Sequence, residues 1–276
     1  MSNEAVAILI SGRGSNMISL VEQARGYRVA LVASDKPEAA GLAWAAARGL
    51  TTWLLSPKGI GKAAYEARLD TALREAGVGT IALAGYMRLL SDDFVARWRG
   101  RIVNIHPSLL PLYKGLDTHA RAIAAGDAEA GCSVHIVTEE LDGGAVLGQS
   151  RVPILPDDDA DTLAARVLAA EHALYPRILS EFVMTPFDRV RDVALTLPET
   201  EEPIGKSVFT VAGETFVKFD GDANMTVRSV EDDAAGSTKW ISIDLTGNID
   251  WVSVEDRIAR SWELTAPAHL LEAGGR

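Results

Sequence analysis

The chain has 276 residues and a formal net charge of −11, and hydrophobic residues make up 47% of it. That length suits two domains, and the apolar fraction is sufficient for a sizeable core. The first 183 residues carry a net charge of −3 and the remainder −8. This balance argues against a nucleic-acid-binding protein, because a surface that clamps phosphates needs clustered lysine and arginine.

The apolar residues are not arranged as a membrane span or as a disulfide framework. No run of 18 or more apolar residues occurs, so no segment is expected to cross a membrane. The N-terminal segment lacks a basic region and a cleavage site, and its short apolar run predicts a β-strand instead of a signal peptide. Cys132 is the single cysteine, which excludes an internal disulfide and a cysteine-built metal site. We expect a core position for this thiol and a reducing, cytosolic compartment for the protein.

The first 180 residues alternate short apolar runs with amphipathic stretches. This alternation predicts an α/β domain with a doubly wound, mostly parallel sheet. The predicted strands are 5–10, 27–34, 51–55, 80–84 and 102–105, followed by a pair near the sheet edge at 132–138 and 146–152. The predicted helices are 17–24, 41–48, 62–76, 92–98 and 161–182.

The pattern changes after Phe182, where shorter segments begin. We predict a small α+β domain here, and we place the domains at 1–183 and 184–276. Its predicted elements are a helix over 185–197, an acidic turn at 199–203, strands at 207–211, 215–220, 225–229 and 240–244, and a helix over 253–266. Trp240, Trp251 and Trp262 are expected in its core.

The segment SGRGSN, residues 11–16, lies between the first predicted strand and the first predicted helix. Its glycines allow backbone N–H groups to approach a ligand closely, and a helix N-terminus carries partial positive charge. Ser15 or Asn16 can cap the helix or bind phosphate oxygens. The segment differs from the dinucleotide fingerprint and from the ATP-binding P-loop. Two interpretations remain open, a phosphate-binding loop and an ordinary tight turn.

Asn104 and His106 end the fifth predicted strand, just before Pro107. They are two residues apart, so their side chains project from the same face of an extended segment. Open α/β sheets bind their ligands at the carboxyl ends of parallel strands. An amide donor beside an imidazole suits an oxyanion that develops on a carbonyl-type carbon. The alternative is a buried pair that satisfies the backbone of a loop.

The segment EELDGG, residues 139–144, is a second candidate. Asp142 precedes two glycines, so its loop can turn sharply and approach a ligand. The carboxylate can pair with His106 or relay protons. The alternative is a plain Asp-Gly turn.

Together these segments resemble a known family. SGRGSNM, AGYMRLLS, NIHPSLLP, ELDGG and EHALYP resemble the folate-dependent phosphoribosylglycinamide formyltransferases over residues 5–183. The resemblance implies a formyltransferase-like variant of the Rossmann fold. It also implies transfer of a formyl group from 10-formyltetrahydrofolate to the amine of glycinamide ribonucleotide, without a metal. In this family the catalytic residues fall at Asn104, His106 and Asp142.

The same resemblance implies binding residues for both small-molecule substrates. Those for the ribonucleotide phosphate and sugar are Gly12, Arg13, Gly14, Ser15, Asn16, Lys62 and Glu171. Those for the folate are Arg88, Leu89, Asn104 and Asp142, which act largely through backbone groups. His119 and His135 are polar neighbours of the site, although His135 is equally well interpreted as a satisfied strand histidine.

Other formyl-folate enzymes share the Asn-His-Asp set and remain as alternatives. A formyltetrahydrofolate hydrolase needs only water in place of the amine, but it typically carries a domain before the catalytic one. A methionyl-tRNA formyltransferase is expected to carry a basic C-terminal domain, whereas this one is acidic. A folate- or nucleotide-binding module without activity predicts the loss of a catalytic residue, and all three are present.

The C-terminal segment resembles the YjbR/MmcQ-like domains at 194–202, 208–219 and 251–267. That group is often thought to bind DNA, but the acidity of this copy argues against it. It contains no catalytic set of residues. We expect it to act in docking, in homo-oligomer contact or in binding a partner.

Overall fold

The computed structural model describes residues 4–221, 224–230, 237–247 and 249–274. The chain divides into two compact units, of which the first ends at Val183 and the second begins at Met184. None of the described helices combines the length and the apolar character needed to cross a bilayer.

The first unit is built on a seven-stranded sheet, which confirms the predicted α/β class. The sheet order is β3-β2-β1-β4-β5-β6-β7. The first five strands are parallel, and β6 and β7 are antiparallel to their neighbours. The strands are β1 (Glu4–Ile10), β2 (Tyr27–Ser34), β3 (Thr52–Leu54), β4 (Thr80–Leu83), β5 (Ile102–His106), β6 (Glu129–Ile136) and β7 (Val146–Pro153).

The helices of this unit mostly match the predicted ones to within two residues at each end. They are α1 (Ser15–Glu22), α2 (Ala40–Ala47), α3 (Lys62–Glu75), α4 (Asp92–Arg97), α5 (Thr118–Ala125) and α6 (Ala160–Val183). The helix α5 was not predicted from the sequence. Asp117 precedes it and Gly126 follows it, and both residue types are usual signals of a helix boundary, so the sequence did offer them. In the structure Asp117 has a left-handed backbone and makes no side-chain cap.

The alternating side chains of β1 explain why this sheet is covered on both faces. Val6, Ile8 and Ile10 belong to one buried cluster, while Ala7 and Leu9 belong to the other. A strand buried on both faces has a continuous apolar sequence, as this one does. The order reverses between β1 and β4, and such a switch point opens a crevice at the carboxyl ends of the strands.

The second unit contains a five-stranded antiparallel sheet in the order β12-β11-β10-β9-β8. Its strands are β8 (Thr200–Glu201), β9 (Val208–Val211), β10 (Glu214–Asp220), β11 (Asn224–Val230) and β12 (Thr238–Asp244). Its helices are α7 (Pro186–Thr196), α8 (Trp251–Glu263) and α9 (Ala268–Gly274). This α+β character confirms the predicted class of the C-terminal segment.

Three features of the second unit differ from the predictions. The acidic turn contains the short strand β8, which pairs with β9, and α9 was not predicted. Trp262 is buried in the core and Trp251 packs against it, as expected, but the prediction for Trp240 is wrong. Trp240 is 38% exposed, and the Lys218 ammonium lies 4.0 Å from its ring centroid. The Lys218 cation stabilises this partly exposed ring by lying over its face.

Candidate active site

The candidate residues lie at the carboxyl ends of β1, β4 and β5, on either side of the switch point. The backbone N–H of Ser11, just after β1, donates to the carbonyl of Gly85, which follows β4. Leu83 of β4 pairs with Asn104 of β5. These contacts bring the loop after β1 and the strand that carries Asn104 and His106 to one edge of the sheet.

His106 and Asp142 form the centre of the site. The imidazole Nδ1 of His106 lies 3.5 Å from Oδ2 of Asp142, and both side chains are 8% exposed. Nε2 of His106 lies 3.0 Å from the carbonyl oxygen of Tyr113. A carbonyl only accepts, so Nε2 donates to Tyr113, while Nδ1 faces the Asp142 carboxylate at ion-pair distance.

The loop that carries Asp142 turns sharply, as its sequence predicts. Asp142 has a left-handed backbone, and Gly143 donates its N–H to the carbonyl of Glu140. Oδ2 of Asp142 also accepts from the backbone N–H of Gly115 at 2.9 Å. The carboxylate of Asp142 thus contacts both the His106 ring and the Gly115 backbone.

Asn104 contacts His135 on the neighbouring strand. Its Nδ2 lies 3.1 Å from Nε2 of His135, and Nδ1 of that ring lies 2.9 Å from the carbonyl of Ile136. A carbonyl only accepts, so Nδ1 carries the proton and Nε2 accepts from the Asn104 amide. Burial lowers the pKa of His135, although the Ile136 carbonyl and Asp142 oppose this effect. The ring is thus a neutral acceptor, and no residue in the described part of the chain accepts the second amide hydrogen of Asn104.

His135 also approaches the carboxylate, since its Nε2 lies 3.6 Å from Oδ1 of Asp142. The structure therefore brings Asn104, His106, Asp142 and His135 into one cluster. From the sequence, His135 was either a neighbour of the site or a satisfied strand histidine. Its contacts with Asn104 and Asp142 favour a neighbour of the site.

His119 lies at the periphery of this cluster. Its Nε2 is buried and makes no hydrogen bond with any residue that the structure describes. Burial lowers its pKa, and the nearby His106 adds to that effect. It touches neither Asn104 nor Asp142 through a hydrogen bond given by the described residues, so it is a neighbour of the site and not a member of it.

The loop after β1 adopts a conformation that requires glycine. Gly14 has φ +75°, and a Cβ there would lie 2.9 Å from the Cα of Gly41. Gly14 is the N-cap of α1 and offers no side-chain cap. Of the two roles open to Ser15 and Asn16, the structure does not support capping, because both residues already lie within the first turn of the helix.

Asn16 instead contacts Glu171 on α6. Its Nδ2 donates to Oε2 of Glu171 at 2.6 Å, and both side chains are buried. Burial raises the pKa of Glu171, and the bond from Asn16 partly opposes this rise. One turn later, the Tyr175 hydroxyl lies within 3.1 Å of the carbonyls of Leu83 and Val103. These contacts fix α6 against the end of β4 and against Val103, the residue of β5 before Asn104.

The remaining predicted residues line the rim of the same edge. Lys62 is the first residue of α3 and is exposed, and the Tyr65 hydroxyl one turn later lies 3.0 Å from that of Tyr86. Arg88 lies over the ring of Tyr65 at 4.8 Å from its centroid. Leu89 is 69% exposed.

Sequence reasoning missed several contributions to this site. Tyr113 and Gly115 act through backbone groups, on His106 and Asp142 respectively. In the sequence of residues 113–117, Gly115 was the one residue that indicated a turn. Met87 and Leu141 are 74% and 53% exposed, next to the loops that hold the predicted residues. Among the described residues, no group of three or more His, Cys, Asp or Glu side chains is arranged to hold a metal ion.

Comparison with known protein sequences identifies a family for the first unit. The family model described as formyl transferase matches residues 4–179. The phosphoribosylglycinamide formyltransferase of Escherichia coli K12 is 42% identical over 182 residues, which cover 64% of this chain and 86% of that protein. The trifunctional purine biosynthetic protein adenosine-3 of Drosophila melanogaster is 47% identical over 185 residues. That match covers 64% of this chain but only 14% of the length of the Drosophila protein.

Solved structures of phosphoribosylglycinamide formyltransferases are also similar to this chain. The crystal structure of phosphoribosylglycinamide formyltransferase from Brucella melitensis has a TM-score of 0.63 and 51% sequence identity. The match covers 66% of this chain and 96% of that one. The family model spans well over half of the residues, and the E. coli relative is matched over most of its length. The chain belongs to the formyl transferase family.

Proposed function

We propose that this protein transfers a formyl group from 10-formyltetrahydrofolate to the amine of glycinamide ribonucleotide. The observation that carries the proposal is the convergence of Asn104, His106 and Asp142 at the switch-point edge, in a chain whose relatives are named for that reaction. No nucleophilic side chain is needed, because the substrate amine itself attacks the formyl carbon.

Two groups would stabilise the oxyanion that this attack creates. Asn104 has one amide hydrogen bonded to His135 and a second one that none of the described residues accepts. His106 offers Nδ1–H, which lies at ion-pair distance from Asp142, beyond the usual length of a hydrogen bond. An oxygen between these donors receives charge-assisted hydrogen bonds in a buried environment, where such bonds are strong.

Asp142 would carry the proton that the reaction releases. The attacking amine becomes positively charged as its bond to the formyl carbon forms, and it must lose a proton before the intermediate collapses. Collapse breaks the bond between the formyl carbon and N10 of the folate, and N10 takes up a proton. A carboxylate held beside His106 can accept the first proton and supply the second, directly or through a water.

The loop at residues 12–16 would bind the phosphate of the ribonucleotide, with Lys62 as an additional cation. The left-handed Gly14 and the absence of a side-chain cap leave the first backbone N–H groups of α1 for an anion. Glu171 would bind the sugar and glycinamide end. Asn16 already orients its carboxylate with one bond.

The folate would bind at Arg88, Leu89 and the loop around Asp142. Met87, Leu89 and Leu141 expose apolar side chains there, and a flat heterocyclic ring gains from covering such surface. Backbone groups of the same loops would recognise its polar edge.

For the second unit we propose a role outside the reaction, in docking or in contact with a partner or a second copy. Its resemblance to the YjbR/MmcQ-like domains stays a prediction, as does the cytosolic location. No candidate catalytic residue comes from this part of the chain.

One assay tests the proposed function. The purified protein is mixed with glycinamide ribonucleotide and 10-formyltetrahydrofolate, and the absorbance of the released folate is followed. We expect release that depends on the ribonucleotide. Release at the same rate without it, with formate as the product, would instead identify a hydrolase.

A further inference from the structure

A short loop outside the predicted site contacts both members of the central pair. This loop, residues 113–116, follows the segment after β5 and precedes α5. The carbonyl of Tyr113 lies 3.0 Å from Nε2 of His106. The N–H of Gly115 donates to Oδ2 of Asp142 at 2.9 Å. One loop therefore sets the direction of the imidazole and of the carboxylate at the same time.

The loop includes a backbone conformation that a tyrosine rarely adopts. Tyr113, Gly115 and the following Asp117 all have positive φ, at 53°, 82° and 57°. The left-handed region is uncommon for residues other than glycine. The backbone must therefore be held in place by contacts from elsewhere.

Two side-chain contacts hold the loop to α5 and to the turn after it. The Tyr113 hydroxyl donates a short hydrogen bond to the carboxylate of Asp127. Nη1 of Arg121 donates to the carbonyls of Lys114 and Leu116, at 2.7 and 3.2 Å. The Arg121 guanidinium also lies 5.3 Å from the centroid of the Tyr113 ring. The loop is thus fastened at its first residue and on both sides of Gly115.

A third contact is weaker. Nζ of Lys114 lies 2.7 Å from Oε1 of Glu140, but the Glu140 side chain is 71% exposed. This pair joins two side chains and does not touch the loop backbone, and exposed ion pairs contribute little. Arg121 instead bonds the loop carbonyls directly, so we assign the fixing of the loop to the other two contacts.

We propose that Tyr113, Arg121 and Asp127 form a positioning clamp, which holds the 113–116 loop and through it the relative orientation of His106 and Asp142. The effect of this clamp on turnover rests on the proposed function. None of the three side chains needs to touch a substrate. Their contribution is to the direction in which His106 and Asp142 present their hydrogen-bonding atoms.

The test uses Tyr113→Phe and Arg121→Gln in the full-length protein. Tyr113→Phe removes only the bond to Asp127 and keeps the ring and the carbonyl. We expect kcat to fall about tenfold in each variant, because small misplacements of reacting groups are costly. KM for both substrates should stay within about twofold, since no binding group is lost.

The second readout is the ring nitrogen signals of His106, measured by NMR with ¹⁵N-labelled histidine and assigned with a His106→Gln variant. We expect both clamp variants to shift these signals, since Nε2 loses its fixed acceptor. Asp127→Asn keeps an acceptor for the hydroxyl and should lose less activity than Asp127→Ala.

Matched controls remove similar groups from other parts of the same unit. Tyr27→Phe removes a buried hydroxyl bond to the Leu20 carbonyl, and Arg177→Gln removes an exposed pair with Glu181. Both should leave kcat and the His106 signals unchanged.

The clamp is wrong if the His106 signals of Tyr113→Phe and Arg121→Gln match those of the wild type. It is also wrong if these signals shift while kcat of an active enzyme stays within twofold. Wild-type protein that transfers no formyl group would contradict the proposed function, whereas the His106 signals would still decide whether the clamp orients this ring.

Discussion

Asn104 lies directly opposite His135 in the antiparallel pair of β5 and β6, and its amide nitrogen is 3.1 Å from Nε2 of that ring. The ring is fixed in turn by the Ile136 carbonyl. A strand partner thereby sets the direction of the amide that we propose as an oxyanion donor. An oriented donor costs no reorganisation when charge develops.

We predict that His135→Ala lowers kcat about tenfold with little change in KM, because the Asn104 amide loses its fixed direction. His135→Gln keeps an acceptor for this amide and should lose less. Steady-state kinetics at temperatures well below unfolding will measure both. His269→Ala, which removes an exposed histidine of the second unit, is the control. Equal kcat for His135→Ala and this control would contradict the role of His135.

We predict that His106→Ala and Asp142→Asn fold normally and lose most of their turnover. Loss of one oxyanion donor typically costs about 10²–10³ in rate, and Asp142→Asn removes the proton acceptor while keeping the shape of the side chain. The measurement is kcat/KM, with circular dichroism to check the fold. A His106→Ala protein that keeps a third of wild-type activity would rule out the proposed chemistry.

We predict that Ser15→Asp weakens ribonucleotide binding and leaves folate binding unchanged. The substitution puts a negative charge in the first turn of α1, where the ligand phosphate is expected. Separate calorimetric titrations of the two ligands will show the difference. Ser15→Ala is the matched control for loss of the hydroxyl alone. Equal weakening of both ligands by Ser15→Asp, in a folded protein, would count against the phosphate site.

We predict that Glu171→Gln makes the folded protein more stable at neutral pH in the absence of substrates. Burial raises the pKa of Glu171 above its ordinary value of 4.5, so the folded state binds a proton more tightly than the unfolded state. Stability from this group is therefore present below that value and is lost as the pH rises through the raised pKa. The glutamine side chain of the variant stays neutral, and its amide oxygen can still accept from Asn16.

The measurement is the free energy of unfolding in urea for both proteins across this pH range. The advantage of Glu171→Gln should be absent at the acidic end and grow to a plateau as the pH rises. A difference that does not vary with pH would contradict the assignment. Ribonucleotide binding should weaken in the same variant, because the carboxylate is the proposed partner of the sugar.

We predict that a chain ending after Val183 remains folded and keeps most of its formyl transfer. All proposed site residues lie at or before Glu171, and α6 completes the first compact unit. The truncated protein must first be shown to be monodisperse, and it is then assayed beside the full chain. A soluble, folded truncation without activity would show that the second unit contributes to the site.

The order of strands and helices follows from local patterns. Each strand of the parallel part that is buried on both faces has a short apolar sequence, which is why β1, β2 and β4 could be predicted closely. The strand β8 escaped prediction because it is only two residues long, and α5 was missed although Asp117 and Gly126 mark its ends. Trp240 was misplaced because its partner Lys218 lies on another strand, and an apolar residue type alone does not show which face of a sheet it occupies.

The candidate site also has parts that local sequence predicted and parts that it did not. Asn104, His106 and Asp142 could be proposed from the sequence alone, because strand ends and Asp-Gly turns leave local signals and because the motifs resemble a family. The tautomer of His135, the bond from Asn16 to Glu171 and the contacts of the 113–116 loop depend on residues that are distant in sequence and adjacent in space. Hydrogen bonds act over about 3 Å, so only the tertiary structure, which sets strand register and helix packing, decided which of these groups meet.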